Sequence, residues 1–160
     1  MENTVQQAKA EIYKRDIAKK GKLQITVIGN SMYPFLKNKD IIFLNPAKLT
    51  DIYVGDIVLT YNGMRMLCHR VFKINKDSFQ TKADALIGPD LIVCENDLIG
   101  KVVEKISPKN KRRVNVLPAK WSGFFISRVM IIGAFFYIPA RLLRKIWRAL
   151  ISFLSFQRQP

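Results

Sequence analysis

The sequence predicts a mainly β domain followed by a helical extension of different character. Short runs rich in β-branched residues recur along residues 23–107, and Gly, Asn and Pro turn signals separate them. Residues 108–160 are instead basic and apolar, without such a succession of strands and turns. We therefore expect three segments: an N-terminal helix over residues 1–22, a β domain over 23–107 and a helical tail over 108–160.

Residues 2–20 have the loose apolar periodicity of a helix, and Gly21 is placed to end it. The apolar positions are Val5, Ala8, Ile12 and Ile17. We expect a solvated amphipathic helix, with a role in covering a functional site as the alternative. Residues 1–21 contain no apolar core of signal-peptide length.

Six strands are predicted in the β domain, over residues 23–28, 40–44, 57–61, 64–72, 78–82 and 98–106. The pair Asn62-Gly63 is the strongest hairpin signal and joins the third strand to the fourth. The second strand is an apolar run, which predicts burial on both of its faces.

The end of the first strand displays a serine. The β-branched run of residues 25–28 stops at Gly29-Asn30, a pair that tolerates unusual backbone angles. Ser31 follows directly, and Pro34 prevents a helix from forming through it. Ser31 is therefore predicted on a tight bend, where a nucleophile would be accessible to a substrate.

A serine nucleophile needs a neighbouring base, and the chain contains a single histidine, His69. His69 lies on the predicted strand 64–72, which favours its accurate placement. The alternatives are a solvated turn serine and a structural histidine. Lys82 and Lys101 are rival bases, because burial can lower the pKa of a lysine enough for it to activate a serine.

Five sequence boxes, taken together, resemble a known family. In order they are GNSMYPFLKNKDIIFLNP, YVGDIVLTY, CHRV, FQTKADALIGPD and DLIGKVV. They are similar to the boxes of type I signal peptidases and the related LexA-like serine peptidases, over residues 23–106. A histidine at the base position, where the usual bacterial enzymes carry lysine, is similar to the endoplasmic-reticulum and archaeal type. The resemblance implies a coiled β-sheet domain that cleaves peptides without a metal or cofactor.

The resemblance also implies roles for individual residues. Ser31 would form an acyl-enzyme, His69 would be the general base, and the backbone N–H of Ser31 would stabilise the oxyanion. In the resembled type, an aspartate follows six residues after the Thr-Lys-Gly-Asp box, which corresponds to Asp90. Asp84, in the box itself, is the alternative third member. This chain has Ala83 in place of the glycine.

The cysteines indicate neither a metal site nor a redox motif. Cys68 and Cys94 form no C-x-x-C pair, and metal ligands are too few for zinc. Two buried free thiols are expected, with a disulfide as the alternative. Because neighbouring strand residues point to opposite faces, Cys68 is not expected to face the same site as His69.

The composition of the tail, residues 108–160, indicates association with a membrane. Residues 101–160 carry 13 Lys and Arg and one Glu, whereas residues 1–100 carry 14 basic and 11 acidic residues. Residues 121–140 are apolar over a length that can span a bilayer, although Arg128 interrupts them. Residues 141–154 then have the apolar stripe and flanking cations of an interfacial helix. Packing of the tail on its own sheet or on a second copy is the alternative, and nucleic-acid binding is not expected.

The predicted function is a serine endopeptidase that cleaves a precursor, leader or signal peptide at a membrane. Its partners would be that peptide and membrane lipids, the latter through the tail. We expect a membrane-associated protein whose catalytic domain stays in the cytoplasm. Two alternatives remain open: a self-cleaving LexA-like regulatory peptidase, and a membrane-bound binding module on a decayed peptidase fold. The sequence does not predict an oligomeric state.

Overall fold

The computed structural model describes residues 2–109 and 113–116, which form one long helix and a curled antiparallel sheet of half-barrel shape. The helix is α1 (Glu2–Lys20), and the strands are β1 (Leu23–Thr26), β2 (Ile41–Asn45), β3 (Ile57–Tyr61), β4 (Met66–Ile74), β5 (Ser78–Lys82), β6 (Ile92–Cys94), β7 (Leu98–Ile106) and β8 (Arg113–Asn115). The predicted mainly β fold is therefore confirmed.

The strands follow the spatial order β1-β2-β7-β3-β4-β5-β6, and β8 pairs with β7. The order departs from the sequence because β7 returns to lie between β2 and β3. Strands β1 and β6 lie at the two ends of this order, and β8 pairs with β7 alone among the described strands. The edge strand β1 leads directly into the loop that carries Ser31.

Three strands, β3, β5 and β7, begin and end at the predicted residues. The predicted hairpin at Asn62-Gly63 is present, but β4 begins at Met66, two residues later than predicted. The Asn62 side chain explains this delay, because its Oδ1 accepts hydrogen bonds from the backbone N–H groups of Met64 and Arg65. The three-residue strands β6 and β8 were not predicted.

The expectation that β2 is buried on both faces is wrong. Ile42 and Leu44 are fully buried, whereas Ile41 and Phe43 are only partly buried. The outer face is covered by cationic side chains instead of a second apolar layer. Lys22 Nζ and the Arg113 guanidinium lie 4.9 and 4.8 Å from the centre of the Phe43 ring.

Helix α1 has the predicted bounds, but it is packed on the sheet and is not merely solvated. Ala10 and Ile17 are buried in the larger of two core clusters, and Tyr13 packs against it. Contact is closest at Gly100 of β7, where a Cβ atom would lie 2.6 Å from Ile17 Cδ1. Glycine at this position therefore allows the helix to approach the sheet.

Two apolar clusters stabilise the sheet. The larger lies beneath α1 and holds Ala10, Ile17, Leu23, Met32, Leu36, Ile42, Leu44, Ile57, Leu59, Ile99 and Val102. The smaller holds Ile52, Val58, Val71, Phe79, Val93 and Leu98. Met32 and Leu36 belong to the Ser31 loop, so the larger cluster also anchors that loop.

The predicted membrane segments lie outside the described residues. These are residues 121–140 and the amphipathic stretch 141–154. Within residues 2–109 and 113–116, no helix combines the length and the apolar character needed to cross a bilayer.

Candidate active site

Ser31 lies in a loop whose backbone is held at both ends. After β1, Val27 donates its N–H to the Asp40 carbonyl and accepts from the Lys39 N–H, at 2.8 and 2.9 Å. Gly29 has a φ of +92°, and its N–H donates to Asn38 Oδ1 at 3.1 Å. Because that φ disfavours other residues, glycine permits the sharp bend that the sequence predicted before Ser31.

Apolar anchors beside the serine fix the same loop. Met32 and Leu36 are 2% and 0% exposed, and the Leu36 N–H donates to the Met32 carbonyl at 2.9 Å. The Ser31 carbonyl accepts a 2.9 Å hydrogen bond from the N–H of Ala85, in the loop that follows β5. The serine loop and the loop after β5 therefore contact each other through the backbone.

His69 lies on β4 at the point where pairing with β5 begins. It is paired with Val58 of β3, but the first β4–β5 pair is Arg70 with Lys82. The His69 side chain is 5% exposed, and its Nε2 lies 3.0 Å from Ser31 Oγ. This distance is within hydrogen-bonding range of a nucleophile and its base.

Asp90 lies on the other side of the imidazole. Its Oδ2 is 2.7 Å from His69 Nδ1 and also accepts a 2.7 Å hydrogen bond from Thr81 Oγ1. The backbone N–H and carbonyl of Asp90 both form hydrogen bonds to β5. Its N–H donates to the Thr81 carbonyl, and its carbonyl accepts from Gln80 Nε2, each at 2.8 Å.

The pKa of Asp90 is lower than that of an ordinary aspartate. Burial by itself would raise this pKa, but the hydrogen bonds from His69 and Thr81 and the charges of His69 and Arg65 outweigh burial. The carboxylate form is thus favoured, as required of a group that holds the Nδ1–H of a histidine.

Asp84, the alternative third member, binds a different residue. Its two carboxylate oxygens accept from Arg70 Nε and an Arg70 terminal nitrogen at 2.9 and 2.8 Å. The other terminal nitrogen of Arg70 donates to the Gly55 carbonyl at 2.8 Å, and the guanidinium lies 5.1 Å from the Phe35 ring centre. Asp84 therefore forms a buried bidentate pair that supports the loop.

Ala83 occupies its position without strain. Lys39 is the one non-glycine residue with positive φ in residues 2–109 and 113–116, so Ala83 has an ordinary backbone conformation. Its side chain is fully buried. The backbone before Asp84 therefore does not require the glycine that the resembled family has there.

The alternative bases, Lys82 and Lys101, contact groups other than Ser31. Lys101 Nζ lies 2.8 Å from Asp56 Oδ2, away from the serine. Lys82 is buried with its Nζ 3.2 Å from the Ala83 carbonyl. Burial lowers the pKa of Lys82, while Asp84 and Asp90 oppose this shift. Neither lysine hydrogen-bonds Ser31 within the described chain, whereas His69 does.

Cys68 and His69 both line one cleft, but the Cys68 side chain packs against the larger core cluster, whereas the His69 imidazole contacts Ser31 and Asp90. Burial raises the pKa of the Cys68 thiol to about 12, with a further contribution from the charge of Asp84. The thiol is thus protonated at neutral pH and is a poor nucleophile. Both Cys68 and Cys94 are free, as expected, but the expected burial is wrong for Cys94, which is exposed.

The cleft has a volume of about 330 Å³ and opens beside Ser31 and His69. Its walls come from α1, from β1 and the residues after it, and from the start of β4. The lining residues are Gln6, Lys9, Tyr13, Ile25, Thr26, Val27, Ile28, Ser31, Met32, Ile42, Leu59, Arg65, Met66, Leu67, Cys68 and His69. Helix α1 therefore borders the site, which was the less favoured of its two predicted roles.

The sequence predicted Ser31, His69 and Asp90 as candidate catalytic residues, but it did not predict the residues that surround them. Thr81 was not singled out, although it lies in the same box as Asp84. Gln6, Lys9 and Tyr13 were missed because their distance from the serine in sequence gives no sign of proximity. Within the described residues, no group of three or more His, Cys, Asp or Glu side chains could hold a metal ion.

The arrangement can carry a proton from a hydroxyl to an imidazole that a carboxylate orients. Comparisons with protein families, with curated proteins and with solved structures find no match to this chain. The site must therefore be interpreted from its own geometry.

Proposed function

We propose that this protein is a serine endopeptidase similar in site and fold to type I signal peptidases of the Ser-His-Asp type. The observation that carries this proposal is the continuous hydrogen-bonded row Ser31 Oγ, His69 Nε2, His69 Nδ1 and Asp90 Oδ2, with separations of 3.0 and 2.7 Å. A nucleophile, a base and an orienting carboxylate in this order make up a catalytic triad.

The row suggests a two-step hydrolysis. Ser31 Oγ attacks the carbonyl carbon of the peptide bond while His69 Nε2 takes the hydroxyl proton. His69 then returns that proton to the leaving amine, which leaves an acyl-enzyme on Ser31. Water, deprotonated by His69, hydrolyses the ester and restores the serine. Asp90 holds Nδ1–H throughout and stabilises the imidazolium.

Stabilisation of the oxyanion needs backbone donors near the serine. Within residues 2–109 and 113–116, no hydrogen bond occupies the N–H of Ser31, so this group is a suitable donor. One such donor typically contributes about 3 kcal/mol to transition-state stabilisation.

The cleft suits an extended peptide. The β1 edge faces no further strand in the described sheet, and β5 pairs with β4 only from Arg70 onward. The backbone of residues 66–69 is therefore open on that side, beside the cleft. A substrate segment could hydrogen-bond to these edges as an added strand, which the family resemblance implies for the residue 23–28 edge.

We also propose that the enzyme works at a membrane. Support comes from the basic, apolar composition of residues 108–160, which is suited to an anionic lipid surface. The substrate would then be a membrane-associated precursor, and the cytoplasmic placement of the β domain remains a prediction from sequence.

The test compares peptide N-termini by mass spectrometry in membranes from cells that carry the wild type, Ser31→Ala or Ser107→Ala. Ser107 is a serine outside the cleft, so Ser107→Ala is the matched control. We expect precursor ends that persist only in Ser31→Ala. A Ser31-dependent cut in the protein's own chain would instead favour the self-cleaving alternative. Identical profiles in all three cell lines would contradict a peptidase and favour the binding module.

A further inference from the structure

The charges that line the cleft are all of one sign. Lys9 of α1 lines one wall and Arg65, just before β4, lines another. The remaining lining residues are apolar or uncharged polar, apart from the titratable His69, and no carboxylate is among them. A cleft lined in this way raises the local concentration of negatively charged groups.

Neither cation has a close carboxylate partner in the part of the chain that the structure describes, although the charge of Arg65 helps to lower the pKa of Asp90. Within the described residues, neither Lys9 nor Arg65 forms an ion pair, whereas Lys14, Lys20, Lys22 and Lys101 each do. The Lys9 ammonium lies 5.6 Å from the Tyr13 ring centre, and both cationic side chains are exposed. They can therefore pair with a ligand without first breaking an internal salt bridge.

Arg65 also lies at a defined distance from the reacting centre. It precedes His69 by four residues on an extended segment, which corresponds to about 13 Å along the strand. A substrate strand running beside residues 65–69 would place a side chain about four residues from the cleaved bond next to Arg65. Apolar residues such as Ile25, Leu59 and Met66 line the same cleft.

We propose that the cleft selects peptides with an Asp or Glu side chain within about four residues of the cleaved bond, in an otherwise apolar segment. Lys9 and Arg65 are the specificity-determining residues. This inference rests on the proposed peptidase function, and it names the class of substrate that the site accepts.

The test uses the full-length protein and a decapeptide library in which each position carries an acidic, a neutral or a basic residue. The wild type is assayed for cleavage, and immobilised Ser31→Ala is assayed for peptide retention. The double variant Lys9→Glu/Arg65→Glu is compared with Lys73→Glu, which reverses an exposed charge on β4 outside the cleft. Melting temperatures establish that the variants are folded.

We expect acidic peptides to be cleaved and retained in preference to matched neutral ones, by up to about fivefold for each cation. The preference should weaken at high salt, because these charges are exposed. The double charge reversal should shift the preference to basic peptides, while Lys73→Glu should leave it unchanged.

The two proposals fail in different ways. Cleavage of acidic and neutral peptides at equal rates would overturn the acidic specificity and leave the peptidase standing. Retention of acidic peptides on Ser31→Ala, with no cleavage by the wild type, would overturn the peptidase and keep the acidic specificity. A preference that survives the double charge reversal would also overturn the assignment to Lys9 and Arg65.

Discussion

Asp84 and Asp90 lie at the two ends of one loop, and the structure uses their carboxylates in different ways. Each carboxylate oxygen of Asp84 accepts a hydrogen bond from Arg70. The side chains of Asp84 and Arg70 are each 5% exposed. The Asp90 side chain is 17% exposed and divides its hydrogen bonds between His69 and Thr81. The first contact supports the loop, and the second orients an imidazole that contacts Ser31.

The difference follows from the strand that faces the loop. His69 and Arg70 are neighbours on β4, so their side chains point to opposite faces. Each can therefore take one of the two aspartates without competing for the other. A buried charge pair beside the candidate site can thus stabilise the loop without orienting the histidine. Variants of Asp84 and Asp90 can separate loop stability from imidazole orientation.

The largest expected effect is that of Asp90→Asn on activity. The variant cannot hold the Nδ1–H tautomer as a carboxylate does, so we expect kcat/KM to fall by about 10⁴-fold. The free energy of unfolding should fall by no more than about 2 kcal/mol, the scale of a lost hydrogen bond to a charged group. Kinetics on a peptide substrate found by the N-terminal comparison and denaturant melts measure the two quantities. Asp77→Asn, an exposed turn residue, is the control and should change neither.

Asp84→Asn should show the reverse pattern. Removing one charge of a buried pair leaves Arg70 uncompensated, and we expect the free energy of unfolding to fall by about 3 kcal/mol. Below its melting temperature, the folded variant should keep kcat/KM within about tenfold of the wild type, because Asp90 still contacts His69.

Replacing both Arg70 and Asp84 by apolar residues separates the effect of charge on stability from the effect of packing. Arg70→Met/Asp84→Leu should recover part of the stability that Asp84→Asn loses, since no unpaired charge remains. A loss of activity in folded Asp84→Asn as large as that of Asp90→Asn would contradict the division of tasks.

Thr81→Val should have a smaller effect at the same site. The variant removes one of the two hydrogen bonds to Asp90 Oδ2, so we expect about a tenfold loss of kcat/KM. The pKa of Asp90, followed by NMR of its carboxyl carbon, should rise in this variant because a stabilising donor is lost. Thr81→Ser keeps the hydroxyl and should restore both values. An unchanged pKa in Thr81→Val would show that Thr81 has only a packing role.

The smallest effect concerns stability and pH. The pKa of Asp90 is lowered in the folded protein, so its carboxylate stabilises the fold above the usual aspartate pKa of about 3.9. This contribution disappears as the pH falls through the lowered pKa. The difference in unfolding free energy between the wild type and Asp90→Asn should thus shrink as the pH falls below about 5. Urea melts from pH 7 to pH 2 test this, and a difference that grows on acidification would contradict the sign.

Local signals were enough for much of the fold. Strands β3, β5 and β7 and helix α1 were predicted at both ends, because alternation, apolar periodicity and turn residues act over a few positions. The bend before Ser31 was predicted for the same reason, since Gly29 supplies the positive φ that the chain needs there. The short strands β6 and β8 were missed because three residues, with one buried side chain in β6 and none in β8, carry too weak a pattern.

The sequence by itself determined the helix and the longer strands, the serine bend and the presence of a single histidine on a core strand. Only the tertiary structure decided which carboxylate meets that histidine, which face of β2 is buried and which side of α1 borders the cleft. These outcomes depend on strand order and register, which bring β4 beside β5 and place α1 against β7. Contacts between residues far apart in the chain arise when the whole sheet closes, and no local pattern encodes them.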